Sequence, residues 1–148
     1  MSIVAADRGN LKEWAEMMVL LFPELSFGEA FAECEEWLNV RKEIGVLYRK
    51  DGKYAGFMNL SVRNDYVNGT ETSPVAFVEA IYVLPEYRSQ GIGREFMEYA
   101  ENFARTRGIR EIASDCFIDN ILSEKFHKKC GFIEKERIIC FAKRINYD

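Results

Sequence analysis

The sequence predicts an α/β protein in which helices pack on the faces of a mixed β-sheet. Three observations lead to this class. Two amphipathic helical patterns open the chain, short apolar strand patterns with hairpin chemistry follow, and helical and strand patterns then alternate to the end. The predicted order of elements is ααβββαβαβ. Because no linker, repeat or low-complexity segment interrupts this order, residues 1–148 are expected to form one domain.

The first two elements are predicted as helices because their apolar residues recur at helical spacing. In the first, this pattern runs from Leu11 to Phe22, with Asn10 as the N-cap and Pro23 at the end. The second opens with Ser26-Phe27-Gly28-Glu29, which has the form of a capping box. Its apolar face consists of Ala30, Phe31, Cys34, Trp37 and Leu38. The glutamates between these positions are interpreted as its solvated side.

Three strands are predicted next. Ile44 to Arg49 is joined by the turn Asp51-Gly52 to a return strand from Tyr54 to Val62. The polar loop at residues 63–73 is longer than a hairpin requires, so it is a candidate for function. The third strand runs from Val75 to Leu84 and leads into a glycine-containing turn.

The second half of the chain alternates between helices and strands. A helix is expected from about Gly91 to Arg107, with Gly108 as its stop. A strand over Glu111–Phe117, a short helix over Asn120–Cys130 and a final strand over Glu134–Ile145 complete the order.

The glycine-containing turn has the features of an anion site. It reads Arg88-Ser89-Gln90-Gly91-Ile92-Gly93-Arg94, with two glycines and flanking arginines at a helix start. Unpaired N–H groups and the helix dipole both favour a phosphate there. A helix-entry turn without a ligand is the other interpretation. The spacing fits neither the dinucleotide fingerprint nor a Walker loop.

Two carboxylates stand out from their surroundings. On a regular strand Glu79 falls in an apolar row, so it is either paired structurally or used, although a bulge would change the row. Asp115 is near the end of the next strand, where open α/β sheets bind ligands, and a capping or surface aspartate is the alternative. Glu136 gives a weaker signal because charged residues surround it. The apolar row that contains Glu79 consists of Val75, Phe77, Glu79, Ile81 and Val83.

Composition restricts the classes of function. A net charge of −4 argues against nucleic acid as the main partner and is compatible with a cationic one. The four cysteines form no CxxC pair and there is one histidine, so no metal site is expected. No signal peptide and no apolar run of membrane-spanning length is evident. We expect a cytoplasmic protein with reduced thiols.

These motifs together resemble the Gcn5-related N-acetyltransferase (GNAT) superfamily. Its R/Q-x-x-G-x-G/A turn is matched by Arg88 to Gly93, and its Asn-led helix with a Gly-Phe exit is matched by Asn120 and Gly131-Phe132. The order of elements agrees along the whole chain. The resemblance implies a GNAT fold and acetyl-CoA as the donor, with no metal.

Several segments are similar, more narrowly, to bacterial aminoglycoside 6′-N-acetyltransferases. That resemblance also spans almost the full length. It implies that the acceptor is the 6′-amine of an aminoglycoside antibiotic, and that the protein is a homodimer, as its relatives commonly are. The segments that carry it are residues 63–69, 73–75, 78–85, 113–115 and 134–137.

The resemblance also implies roles for individual residues. Ile81, Tyr82 and Val83 would present backbone groups to the pantetheine arm, with the Val83 N–H facing the thioester carbonyl. The turn at residues 88–94 would hold the pyrophosphate, and Asn120 would contact the CoA arm. His127 stands on the CoA side, where many members have a tyrosine that protonates the leaving thiolate. The aminoglycoside site would be lined by Phe22, Tyr66, Glu79, Asp115 and Glu136.

Physical chemistry agrees with direct transfer in a ternary complex. An aminoglycoside is a polycation, which acidic groups complement. Its amine attacks only when neutral, so Glu79 or Asp115 must help remove a proton, and the sequence does not separate the two. A backbone N–H would stabilise the oxyanion. Two alternatives stay open: acetylation of another amine, such as a polyamine or a protein lysine, and a non-catalytic CoA-binding sensor, which His127 in place of tyrosine permits.

Overall fold

The computed structural model describes residues 2–40 and 43–147, and it divides into two compact units on either side of the bond between residues 115 and 116. The first unit contains β1 Ile3–Ala5, α1 Leu11–Leu21, α2 Phe27–Trp37, β2 Glu43–Lys50, β3 Lys53–Arg63, β4 Val75–Val83, a single 3-10 turn Pro85–Tyr87, α3 Ile92–Thr106 and β5 Ile112–Ser114. The second unit contains α4 Ile121–Lys129. Within the described ranges, no helix is long and apolar enough to cross a membrane.

The strands form one sheet in the order β1-β2-β3-β4-β5. All neighbours are antiparallel except β4 and β5, which are parallel. A parallel pair needs a crossover connection, and α3 supplies it between these two strands. The predicted α/β class with a mixed sheet is therefore confirmed.

Two elements differ from the predicted order. A strand that the sequence analysis missed, β1, pairs with β2 through Ile3 opposite Tyr48. The final strand predicted at Glu134–Ile145 is absent, because the described residues of this segment form neither helix nor strand. A strand exists only where another strand accepts and donates its hydrogen bonds, and an apolar pattern alone does not supply that partner.

The predicted helix starts are realised in different ways. Ser26 and Glu29 form the expected capping box, with Ser26 Oγ accepting from the Glu29 N–H at 3.1 Å and Glu29 Oε1 accepting from the Ser26 N–H at 3.0 Å. Asn10 precedes α1 but makes no side-chain cap. Its amide instead ties the chain before the helix, since it accepts from the Asp7 N–H and donates to the Ala5 carbonyl.

The core on one face of the sheet is centred on Trp14 of α1, which is fully buried. Its indole N–H donates to the side-chain carbonyl of Asn59 at 3.1 Å, so the buried polar groups satisfy each other. A Cβ at Gly45 would lie 2.3 Å from Trp14 Cζ2, so only glycine lets the indole approach the sheet this closely. Helices α1 and α2 are thereby fixed against β2 and β3.

A β-bulge in β4 lies at Glu79. Asn59 pairs with Ala80 while Leu60 pairs with Val78, which leaves Glu79 as the extra residue. Paired residues of antiparallel strands share a face, so β4 changes parity here. The predicted row is therefore wrong beyond Glu79: Val75 and Phe77 share a face with Ala80 and Tyr82, not with Ile81 and Val83.

Helix α3 packs on the opposite face of the sheet from α1 and α2. The predicted stripe of Phe96, Ala100, Phe103 and Ala104 is buried, which confirms it. The helix is bounded at both ends by glycines in the left-handed region, Gly91 with φ 83° and Gly108 with φ 68°. The helix follows β4 after the 3-10 turn Pro85–Tyr87 and the glycine-containing turn.

Candidate active site

Glu79 is held by two residues of the adjacent strand. Ser61 Oγ donates to Glu79 Oε2 at 2.7 Å. Arg63 Nη2 donates to Oε1 at 2.6 Å and to Oε2 at 2.7 Å, and Arg63 Nε donates to Oε2 at 3.0 Å. The side chain of Glu79 remains 25% exposed. The carboxylate of Glu79 is thus paired with Arg63 and still partly accessible to solvent.

Glu43 stands on the same face as this group. It pairs across the sheet with Ser61, which places it on the face that Ser61 and Glu79 share. Burial raises the pKa of the Glu43 carboxyl, and repulsion from Glu79 and then Glu36 adds to the increase. Burial is the largest cause of this increase, and the smaller contribution from Glu79 indicates that the two carboxylates repel each other.

An acidic groove adjoins Glu43. Its volume is about 670 Å³, and Trp37 is the aromatic part of its wall. From the sequence, the glutamates of α2 were predicted only as a solvated face, and Glu43 was not predicted as a site residue. Three glutamates spaced three or four positions apart, as in Glu29, Glu33 and Glu36, are the signal that could have indicated a common surface. The carboxylates of the groove are Glu29, Glu33, Glu36 and Glu43.

The long loop between β3 and β4 presents Tyr66 to solvent. Tyr66 is 73% exposed, while its neighbour Val67 is buried with Val75 and Phe77. The carboxylate of Glu111 accepts the N–H groups of residues 71 and 72 at 2.9 and 2.7 Å and so fixes the far side of the loop. The tyrosine ring is therefore carried by an anchored loop.

Asp115 follows β5 directly and is exposed. In the parallel pair of β4 and β5, Val78 is opposite Ser114. Glu79 comes one residue later in β4, at the bulge, and Asp115 is the first residue after the end of β5. Asp115 thus follows the strand that pairs with β4 up to Val78, and which of the two carboxylates acts as the base stays a prediction.

Phe22 follows α1 and is partly buried against the core that α1 and α2 enclose. Its N–H donates to the carbonyl of Met18 at 2.8 Å, which fixes the backbone at the helix end. An aromatic side chain in this position has one side against the core and another toward solvent. The predicted role as a pocket wall stays a prediction.

The last part of β4 has an open edge. Strand β5 pairs with β4 only from Ala76 to Val78, so in the described chain no strand borders residues 79–83 on that side. Ile81, Tyr82 and Val83 are partly exposed. The Val83 carbonyl accepts from Arg88 Nε at 2.8 Å. This edge offers backbone donors and acceptors to an extended ligand, as the resemblance implies for the pantetheine arm.

The turn before α3 has the backbone conformation of an anion cradle. Ser89 has φ 63° and Gly91 has φ 83°, and the first helical bond runs from the Glu95 N–H to the Gly91 carbonyl at 3.0 Å. The N–H groups of the first helical turn, including those of Ile92 and Gly93, therefore have no acceptor within the helix. This geometry suits a phosphate.

Side chains around the turn are tied to it. The Arg88 guanidinium lies 5.4 Å from the centroid of the Tyr82 ring, and Gln90 Nε2 donates to the Glu86 carbonyl. Lys50, at the end of β2, donates to Gln90 Oε1. This lysine was not predicted from the sequence, because it comes near the turn only through the pairing of β2 with β3 and of β3 with β4. It adds a cation beside the predicted pyrophosphate site.

The second unit contains Asn120, His127 and Glu136. Asn120 Oδ1 accepts from the Ser123 N–H at 3.2 Å and caps α4. His127 Nδ1 lies 2.7 Å from the Ser123 carbonyl, which only accepts, so a neutral His127 carries its proton on Nδ1. Its ring centroid is 5.3 Å from that of Phe132. Glu136 is exposed in the segment without helix or strand.

The thiols differ in environment. Burial, with a smaller contribution from Glu33, raises the pKa of Cys34 to about 12, so this thiol is protonated at neutral pH. Cys116 and Cys140 are exposed. In the described parts of the chain no three potential metal ligands cluster together.

Comparisons with known proteins match this geometry. The profile of the Acetyltransferase (GNAT) family matches residues 11–132, which include the β4 edge, the turn before α3, and α4. The aminoglycoside N(6′)-acetyltransferase type 1 of Salmonella typhimurium is 35% identical over 97% of this chain and 99% of its own length. The enzyme of the same name from Acinetobacter haemolyticus is 36% identical over 99% of this chain and 100% of its own length.

A solved structure supports the same conclusion. AAC(6′)-Iy in complex with the bisubstrate analogue CoA-S-monomethyl-acetylneamine superposes with a TM-score of 0.91 at 34% identity, and the match covers 97% of each chain. The family resemblance that the sequence motifs predicted is confirmed by these similarities, and so is the type of fold.

Proposed function

Because this chain belongs to the acetyltransferase (GNAT) family, we propose that it transfers the acetyl group of acetyl-CoA to the 6′-amine of aminoglycoside antibiotics and so confers resistance to them. The observation that carries the proposal is the similarity, at 35% identity over 97% of the chain, to an enzyme named for this reaction. The acidic face around Glu79 and Glu43 supports it, since a polycation is attracted there.

The proposed reaction proceeds by direct transfer. The amine nitrogen attacks the thioester carbonyl carbon, the carbon–sulfur bond breaks, and the thiolate takes up a proton. Glu79 or Asp115 removes the proton from the amine, directly or through water. The N–H of Val83 stabilises the oxyanion. Holding both substrates along β4 supplies much of the rate, because attack then becomes effectively unimolecular.

The remaining residues have the roles that the resemblance implies. Ile81 and Tyr82 bind the pantetheine arm, and the turn at residues 88–94 binds the pyrophosphate. Asn120 and His127 act toward CoA, and a neutral His127 with its proton on Nδ1 would need a second proton at Nε2 to act as an acid there. Phe22, Tyr66 and Glu136 bind the aminoglycoside.

Steady-state acetylation tests this function. A pair of aminoglycosides that differ only in a 6′-amine or a 6′-hydroxyl should give release of free CoA with the amine alone. Comparable kcat/KM with a polyamine or a lysine peptide would instead favour acetylation of another amine. Binding of CoA without turnover on any amine would favour the sensor alternative.

We also propose that the protein is a homodimer. The second unit exposes large apolar side chains, among them Phe117 at 85%, Leu122 at 77% and Phe141 at 90%. Apolar surface of this extent is typical of an interface. The apolar pattern at residues 134–145 predicts a strand, and a second copy could supply the partner that a strand requires.

Light scattering coupled to gel filtration tests this assembly. We expect twice the monomer mass at micromolar concentration, and a deletion of residues 134–148 should shift the protein to the monomer or to aggregates. A wild-type monomer over the whole concentration range would contradict the proposal.

We further propose that residues 1–148 work as one acetyltransferase domain in the cytoplasm. The family match supports a single domain, since it runs from residue 11 to residue 132 and crosses the division between the two units. All four cysteines are free thiols, which is typical of a reducing compartment. Fractionation of expressing cells, with activity followed in each fraction, tests the location.

A further inference from the structure

Arg63, the last residue of β3, is fixed at two places. Its Nε and Nη2 donate to the Glu79 carboxylate. Its guanidinium carbon lies 3.6 Å from the centroid of the Phe77 ring, which is itself buried. A planar guanidinium matches a carboxylate and stacks on an aromatic face at the same time, which an ammonium group does less well. The side chain is therefore held in one orientation, although it is 42% exposed.

The two oxygens of Glu79 are occupied unequally. Oε2 accepts from Ser61 Oγ, Arg63 Nε and Arg63 Nη2, whereas Oε1 accepts from Arg63 Nη2 alone among the described residues. A carboxylate has about four acceptor positions, two on each oxygen. Oε2 is thus saturated, and Oε1 retains one position.

We propose that Arg63 is a positioning residue for the transfer reaction: with Ser61, it saturates Oε2 of Glu79 and leaves Oε1 to receive the amine of the substrate. This inference rests on the proposed function, because it names the atom through which that site takes the acceptor. The ammonium group donates to Oε1, and Arg63 stays in place on Phe77 while it does so.

The charge of Arg63 has a second effect on the same face. Glu43 pairs with Ser61 across the sheet, and its repulsion with Glu79 adds to the increase that burial causes in the pKa of Glu43. Without the guanidinium, Ser61 alone would hold Glu79 against that repulsion, through one hydrogen bond that leaves rotation about the terminal torsion free. Arg63 therefore sets both the direction of the carboxylate and which oxygen is open.

Arg63→Met tests the proposal. We expect kcat for the acetylated amine to fall about 100-fold, because a misdirected carboxylate loses the alignment that positioning supplies. The KM for acetyl-CoA should stay within about twofold, since the donor binds through backbone groups elsewhere on β4. Arg63→Lys keeps the charge without the planar fork and should recover about a tenth of the wild-type kcat.

Arg107→Met is the matched control. Arg107 stacks on Phe103 with 3.7 Å from its guanidinium carbon to the ring centroid, much as Arg63 does on Phe77, but it donates to the Phe103 carbonyl and to Thr106 Oγ1 instead of to a carboxylate. This variant should keep kcat and KM within about twofold of wild type, and its change in Tm measures the cost of losing a stacked arginine.

Other results would overturn the inference. If Arg63→Met changes Tm as the control does and leaves kcat intact, the ion pair is structural only. If Arg63→Met raises kcat/KM, the guanidinium competes with the amine and must leave. The kcat ratio of variant to wild type is measured with whichever amine the wild type acetylates. Turnover of the wild type on another amine alone would thus refute the proposed substrate without affecting the test of Arg63.

Discussion

Glu79→Gln is expected to lower kcat for aminoglycoside acetylation by about 100- to 1,000-fold, the range typical of losing a positioned general base. The amide keeps the shape of the side chain and can still accept from Ser61, but it cannot take the proton of the attacking amine. Its NH2 group would also face the Arg63 donors or the substrate ammonium. Acetyl-CoA affinity, measured by calorimetry, should stay within about twofold of wild type.

Asp115→Asn is the companion variant, since Asp115 is the other carboxylate predicted as the base and directly follows β5, the strand that pairs with β4. If the substituted residue is the base, the variant should lose both turnover and the acidic limb of the kcat/KM pH profile. If it is not the base, the variant should lose turnover and keep that limb. Glu98→Gln, on the exposed side of α3, is the control for loss of one negative charge. Full turnover in both Glu79→Gln and Asp115→Asn would refute the assignment of either carboxylate as the base.

The helices and the turn before α3 were predictable because their signals are local. The capping box at Ser26 and Glu29, the buried stripe of α3 and the two glycines that bound it depend on residues at most a few positions apart. Strand β1 was missed because three residues are too short to show an alternation. Strand β5 also has only three residues, so no periodicity in the sequence reveals that it ends at Ser114.

The surroundings of Glu79 were not predictable, because they depend on pairing between strands. The bulge exists only in the register of β3 against β4, and the register of β2 against β3 brings Glu43 opposite Ser61. Arg63 reads from the sequence as the first residue of a polar loop, yet it is the end of a strand and a partner of Glu79. The residue types predicted acid–base chemistry here, but the partners of Glu79 could be identified only from the pairing of the strands.

One strand carries both halves of the proposed reaction. At the bulge, β4 turns Glu79 toward the acidic face, and just beyond it β5 has ended, so the edge of residues 80–83 is open. Glu79, one of the two proposed bases, and the backbone groups proposed for the thioester are then separated by only a few residues of the same strand. This arrangement favours direct transfer, because both substrates would bind along the same strand and so close to each other.

Gly91→Asp is expected to weaken acetyl-CoA binding about 10- to 100-fold, through repulsion between like charges at a helix N-terminus. A side chain fits there, since nothing lies within 4 Å of the position of a Cβ, and aspartate tolerates the left-handed backbone of φ 83° better than most residues do. Its carboxylate would accept from the N–H groups of the first helical turn, which the pyrophosphate is proposed to use.

Gly108→Asp is the control for the same substitution at the other end of α3. Gly108 has φ 68° and open space around it, so the backbone cost is similar, and the two glycines lie beyond opposite ends of a 15-residue helix that is about 22 Å long. Only Gly91→Asp should raise the KM and Kd for acetyl-CoA, with kcat at saturating donor within about threefold of wild type. Equal donor affinity in the two variants would show that the turn does not bind the pyrophosphate, and acetyl-CoA would then have to be held by the open edge of β4 and the other residues proposed to bind it.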